Sequence, residues 1–208
     1  MDFQLCYITD RRALEAGALL PRIEAAVRAG VDLLQIREKD LPTRELIDIV
    51  RPAVKMTRGS STRLVVNDRL DVALGLGAAG VHLGNHSLPA SIVRKIVPPD
   101  FLVGVSCHSL EEALAATIAR ADYILLGPIF ETPSKLAYGP PLGLAKLREV
   151  AAQVSVPILA LGGVTVDRAR ACLEAGAAGI DGISIFQTCA SLERRVAELR
   201  AAMLAESR

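Results

Sequence analysis

Eight short apolar runs recur along the chain: "LCYIT", "LLQIR", "RLVVN", "GVHLG", "LVGVS", "YILLG", "PILALGG" and "GISIF". Most are continuously apolar rather than alternating, the pattern of strands buried on both faces. Amphipathic stretches such as "LPRIEAAVRAG" and "SLEEALAATIARA" lie between them. The second opens with Ser109 and Glu112 in capping-box spacing. The last, "SLERRVAELRAAMLAES", puts Leu192, Val196, Leu199 and Met203 on one helical stripe. Three segments, "RAGVDLLQI", "GAAGVHLG" and "AGAAGIDGISI", each end a helix at Ala-Gly, turn tightly and enter a strand. Glycine suits the left-handed position at such a helix end. Eight strands alternating with eight helices, with no composition break, predict a single α/β domain over residues 1–208, a compact (β/α)8 TIM barrel. An open doubly wound sheet is the alternative, but no G-x-G-x-x-G follows the first strand.

Composition narrows the function classes. The 208 residues are 51% hydrophobic, which suits a packed α/β core and excludes a disordered chain. A net charge of +1 and 3% aromatics without Trp give neither the field nor the stacking surface that nucleic acid needs. The start, "MDFQLCYITD", lacks the features of a signal peptide, and no apolar run is long enough to span a bilayer. Cys6, Cys107, Cys172 and Cys189 have no metal-site spacing, and they read as buried thiols of a reducing cytoplasm. The partners expected are small-molecule substrates, with no nucleic acid and no membrane; homo-oligomer formation is compatible with the sequence.

In a barrel of this kind chemistry sits where strands end and βα loops begin. Polar residues gather there. Gln35, Arg37 and Lys39 follow the second strand at alternating positions, hence on one side, and predict an anion site. Asn67-Asp68 ends the third strand and reads equally well as a cap for the next helix or as part of a site. The loop "GPIFETPSKLAYGPPLG" (127–143) is too long and too rich in Pro and Gly for a plain connection, yet it carries Thr132, Ser134 and Lys135. Gly162-Gly163 is either a turn or, with Ser184, a set of backbone N–H groups for a phosphate. Arg37, Lys39 and Lys135 would then hold a diphosphate and the neutral donors a monophosphate. Asp68 becomes a ligand for Mg2+ bridging the diphosphate. His82 and His108 read as structural.

The segments "LLQIREKDLPTREL", "NDRLDVALGLGAAGVHLG", "GVSCHSLEEA", "DYILLGPIFETPSK" and "ILALGGV" resemble the thiamin-phosphate synthase family, which includes the thiazole tautomerases. The resemblance implies coupling of 4-amino-2-methyl-5-hydroxymethylpyrimidine diphosphate to a thiazole phosphate, carboxylated or not, with release of diphosphate. It further implies C–O cleavage first, then capture of the pyrimidine-methyl cation by the thiazole nitrogen. By the same resemblance Gln35, Ile36, Arg37, Glu38, Lys39, Asn67, Ser106 and Lys135 would bind the pyrimidine diphosphate. Thr132, Pro133, Ser134, Gly163, Ile183 and Ser184 would meet the thiazole phosphate, and Arg37, Lys39 and Lys135 would be catalytic. Two positions depart from the family pattern. Ser87, in "GNHS", stands where synthases carry a second Mg2+ aspartate, and Pro128 stands where tautomerases carry a histidine. A synthase is the leading expectation; a tautomerase-like enzyme and a non-catalytic thiazole- or thiamin-phosphate-binding regulator are the alternatives.

Overall fold

The continuously apolar runs become strands because layers cover both of their faces. The structure, a computed structural model, describes residues 5–132 and 140–204. Its strands are β1 (Leu5–Ile8), β2 (Leu33–Ile36), β3 (Arg63–Asn67) and β4 (Gly80–Leu83). They continue with β5 (Leu102–Cys107), β6 (Tyr123–Leu126), β7 (Ile158–Leu161) and β8 (Gly179–Gly182). Each pairs in parallel with the next, and β8 returns to β1, so the sheet closes into an eight-stranded barrel. The (β/α)8 expectation holds and the open sheet is excluded.

The surrounding helices are α1 (Leu19–Ala29), α2 (Thr43–Thr57), α3 (Leu70–Leu76), α4 (Ala90–Val93) and α5 (Leu110–Ile118). After β6 come α6 (Gly143–Ala151), α7 (Val166–Glu174), the short α8 (Ser184–Gln187) and α9 (Leu192–Leu204). Local chemistry sets their ends. Ser109 accepts the Glu112 N–H at 3.2 Å, and the Glu112 carboxylate reaches back to the His108 N–H at 2.6 Å, so the predicted cap forms one residue early on its return arm. Gly30 and Gly176, at φ +77° and +96°, are the left-handed Ala-Gly helix ends the repeat predicts, whereas α3 closes at Gly77, φ +69°, and the Ala79-Gly80 pair already begins β4. The α9 stripe of Leu192, Val196, Leu199 and Met203 is buried.

One element is shifted. The run "GISIF" was expected as the eighth strand, but β8 is "GIDG" and Ser184–Gln187 is helical. The shift seats Phe186, which is fully buried, against the Tyr7 ring at 5.6 Å between centroids. Removing a buried aromatic of this kind costs about 3–5 kcal/mol.

The barrel interior is a separate apolar cluster containing Cys6, Ile8, Leu33, Val65, Leu102, Tyr123, Leu125 and Leu159. Strand register orders the inward positions in layers drawn from alternate strands. Cys6, Val65, Gly104 and Leu159 share one layer. Gln35, His82, Leu125 and Asp181 form the layer above it, and Ile8, Asn67, Ser106 and Leu161 the one above that. Gly104 has no side chain because the Tyr123 ring occupies the space; a Cβ there would lie 2.0 Å from it. The four thiols are free, and Cys6, Cys107 and Cys172 are buried. No helix among the described residues is long and apolar enough to cross a membrane.

Candidate active site

The upper layers turn polar toward the C-terminal ends of the strands, where βα loops gather. Gln35 is 1% exposed on β2, and its Nε2 has no hydrogen-bond partner. Arg37 follows at the next inward position, and its charge acts to lower the pKa of both His82 and Asp181. Among the described residues its guanidinium makes no ion pair and no hydrogen bond; only its backbone N–H is used, by Thr9 Oγ1 at 3.0 Å. A cation left without an internal partner at a polar barrel mouth is suited to an anionic ligand.

Lys39 pairs with Asp68 at 3.4 Å. Asp68 is held in the left-handed region at φ +60°, unusual for a residue with a side chain. Its carboxylate accepts Asn67 Nδ2–H at 2.6 Å and the Gly84 N–H at 3.2 Å, and it also accepts the Ser87 hydroxyl. Burial alone would raise its pKa, but Ser87, Lys39 and the Gly84 N–H outweigh burial and hold it low. The helix-cap reading of Asn67-Asp68 is therefore corrected: Arg69 is the N-cap of α3, without a side-chain cap bond. The Asp68 carboxylate is joined instead to Ser87 in the β4 loop.

His82 and His108 are structural, as expected. His82 bridges Tyr123 Oη at 3.2 Å and Ser106 Oγ at 2.8 Å, and its pKa falls to about 3, chiefly because burial disfavours the imidazolium. His108 bonds the Gly127 carbonyl. Ser106 thus reaches the mouth on a neutral, fixed support.

Two members of the predicted "QIREK" run are corrected. The Ile36 side chain lies in the outer core between sheet and helices. Glu38 is 5% exposed, and its carboxylate accepts Thr9 Oγ1 at 2.7 Å and the Arg11 N–H at 3.1 Å. It fixes the β1 loop, so these two residues can offer a ligand only their backbone.

On the opposite side Gly163 adopts φ +64°, and a Cβ there would lie 2.6 Å from the Glu131 carbonyl oxygen and 2.8 Å from Phe130 Cβ. Ile183 packs against the inner cluster, and Ser184 is exposed just beyond it. Among the described residues the backbone N–H groups of Gly163 and Ser184 make no hydrogen bond. The long loop is pinned at both ends: Ile129 and Phe130 donate to the Leu161 and Gly162 carbonyls, and Leu142 returns to the Pro128 carbonyl. Thr132 is half-buried at the edge of this described part. Pro133, Ser134 and Lys135 lie outside the described residues. The signal that sequence reading missed is Asp181, inward-facing beside Gln35 in one layer.

The family model described as thiamine monophosphate synthase matches residues 5–186. The chain belongs to the thiamine monophosphate synthase family. It is 43% identical over 184 residues to a putative thiamine-phosphate synthase of Geobacter sulfurreducens, covering 88% of this chain and 86% of that one. It is 44% identical over 177 residues to the thiamine-phosphate synthase of Roseiflexus castenholzii, covering 85% of this chain and 78% of the relative. Among solved structures, the thiamine phosphate pyrophosphorylase of Pyrococcus furiosus superposes with a TM-score of 0.87 at 34% identity, covering 97% and 96% of the two chains. The family match spans all eight strands and the mouth residues described above.

Proposed function

We propose that this chain is a cytoplasmic thiamin-phosphate synthase that couples hydroxymethylpyrimidine diphosphate to a thiazole phosphate. The observation that carries the reading is the unpartnered Arg37 guanidinium above Gln35, flanked by the Lys39–Asp68 pair and set apart from the Gly163 and Ser184 amides. Such a mouth has two anion sites of different character. One is cationic and takes a leaving diphosphate; the other is built from neutral N–H donors and takes a monophosphate.

The chemistry follows from that division. The C–O bond to the pyrimidine methylene breaks and its electron pair departs on the diphosphate. Arg37 and Lys39 stabilise that growing charge, the largest electrostatic demand of the reaction. Lys135 is assigned the same role from the family pattern. The thiazole nitrogen then gives its lone pair to the methylene carbon, closing the C–N bond and becoming the thiazolium cation. No general acid or base is required, which agrees with a mouth whose buried histidine is held neutral. Positioning by the Gly163 and Ser184 side supplies the rest.

Among the described residues no cluster of three or more His, Cys, Asp or Glu side chains could hold a metal. The oxygens of Asp68 and Ser87 do fit a Mg2+ whose remaining ligands are diphosphate oxygens, since Mg2+ is commonly held by one or two carboxylates plus substrate phosphates. When bound there it would neutralise charge on the departing diphosphate. Ser87→Asp puts a second carboxylate beside Asp68 in place of a neutral hydroxyl. It is expected to lower the Mg2+ concentration for half-maximal turnover by about ten- to a hundredfold, or about 1.4 kcal/mol per tenfold. A Mg2+ titration at saturating substrates reads this, and an unchanged midpoint would remove position 87 from the metal.

Gly163→Val tests the monophosphate side. Its Cβ would crowd the Glu131 carbonyl and Phe130, and the left-handed backbone there strains a β-branched residue by roughly 1–3 kcal/mol. KM for the thiazole phosphate is expected to rise about tenfold or more, with a smaller change for the pyrimidine diphosphate. Equal weakening of both substrates would refute the two-site division.

The test of the whole reading is incubation with both substrates, with and without Mg2+, followed by assay for thiamin phosphate. Product establishes the synthase. Thiazole isomerisation without coupling would establish a tautomerase, and binding without turnover a regulator.

A further inference from the structure

Below the mouth lies a polar pair that the coupling chemistry does not use. Asp181 is fully buried on β8; the Cys6 thiol and the Gly182 N–H act on its carboxylate, but neither oxygen is held by a donor in good hydrogen-bond geometry. Ile180 beside it belongs to the outer core, so Asp181 faces the barrel axis. Strand register puts it in the same layer as Gln35, His82 and Leu125. His82 is already committed to Tyr123 and Ser106. Leu125 is apolar. Gln35 alone remains in the layer with a buried, unpartnered donor, Nε2.

Donor and acceptor are complementary, and each is expensive to leave unpaired in such a place. Only β1 separates the two strands, and a rotation of the Gln35 side chain is the smallest change that satisfies both. The side-chain amide is an oriented group: with Nε2–H committed downward, Oε1 must point up to the mouth, where it can only accept. An upward acceptor selects a ring edge that carries an N–H donor and rejects one that carries a carbonyl oxygen.

We propose that Asp181 is a positioning residue that takes the Gln35 amide N–H and thereby fixes the Gln35 carbonyl oxygen toward the exocyclic amine of the aminopyrimidine substrate. The assignment rests on the synthase reading and adds to it a basis for ring discrimination. Burial pushes the Asp181 pKa up to about 7, only partly offset by the Cys6 thiol, the Gly182 N–H and Arg37, so a further N–H donor is what its ionised form lacks. A site built to pair a substrate N–H rejects the analogue that lacks it far more strongly than an apolar pocket rejects a change of size.

The test compares the 4-amino pyrimidine diphosphate with its 4-oxo analogue in wild type, Asp181→Leu and Asp181→Asn. Wild type is expected to prefer the amino ring by about a hundredfold in kcat/KM. Asp181→Leu frees Gln35 to turn over, which should reduce the preference to about tenfold or less and raise KM for the amino substrate about tenfold. Asp181→Asn keeps an acceptor oxygen in the layer and should recover most of the preference, which a merely space-filling role for Asp181 does not predict. A wild type that uses both rings within about threefold overturns the assignment, whatever the variants do. So does Asp181→Leu with unchanged preference and KM; either result leaves the synthase reading intact. A wild type that makes no thiamin phosphate from the amino substrate overturns the synthase reading, and the assignment with it.

Discussion

Arg37→Met is expected to lower kcat by about 10²- to 10³-fold while leaving the fold unaffected. Methionine keeps the apolar stem of the arginine and deletes only the charge, so packing along the β2 end is preserved. Stability should hold because the guanidinium makes no ion pair or hydrogen bond among the described residues. The loss falls mainly on kcat because charge on the diphosphate is greatest when the C–O bond is breaking. Arg11 is the control. Its pair with Asp40 lies at the surface, and the buried Glu38 carboxylate that it also approaches keeps the Thr9 hydroxyl and the Arg11 backbone N–H in the variant. Exposed pairs contribute about 0–1 kcal/mol, and Arg11→Met should leave kcat near wild type. Steady-state kinetics with both substrates, alongside thermal unfolding of each variant, separates the two. Arg37→Met with kcat within threefold of wild type, on the scale of ordinary binding contacts, would remove Arg37 from the leaving-group site.

Why some of this was legible in sequence and some was not comes down to range. "YILL" on β6 reads as a buried strand because four apolar residues in a row have no other stable place in an α/β fold. The Gly30 and Gly176 helix ends are equally local, being set by one left-handed residue each. Asn67-Asp68 read equally well as a helix cap, whereas the position of Gln35, Arg37 and Lys39 at the mouth was legible, because an alternating polar run at a strand end points to a barrel mouth. Glu38 was not. Its partners Thr9 and Arg11 are 29 and 27 residues away, and nothing in "QIREKD" says which charged side chain turns inward to the loop and which outward to a ligand. "GIDG" failed for a different reason: two glycines and an aspartate are poor strand formers, and β7 and β1 impose the strand from both sides. Hiding the strand hid Asp181 as well, since a residue read as part of a turn has no inward face.

That buried carboxyl leaves a thermodynamic signature independent of any substrate. Asp181 has a pKa near 7 in the folded chain, raised first by desolvation, and an ordinary value near 3.8 when unfolded. The Cys6 thiol on β1 and Arg37 at the end of β2 act against burial without cancelling it, and His82 across the layer stays neutral. Between these two pKa values the folded protein holds a proton that the unfolded chain has released. Stability must therefore fall as pH rises from about 4 to about 7, then level off once both states are ionised. Three pKa units correspond to about 4 kcal/mol, a large share of the 5–15 kcal/mol typical of a whole domain. Asp181→Asn has the same shape and no titration. With Gln35 turned away, its stability relative to wild type would be about 4 kcal/mol more favourable at pH 8 than at pH 4, and the proposed Gln35 N–H bond to the carboxylate reduces that difference. Other titrating groups act equally in both proteins, so the difference between two urea-unfolding series isolates position 181. A difference that stays flat across that range would mean that the carboxyl is stabilised as the anion inside the barrel, with donors enough to hold it. If Gln35 supplies that stabilisation, Gln35→Leu in the same background should restore the slope.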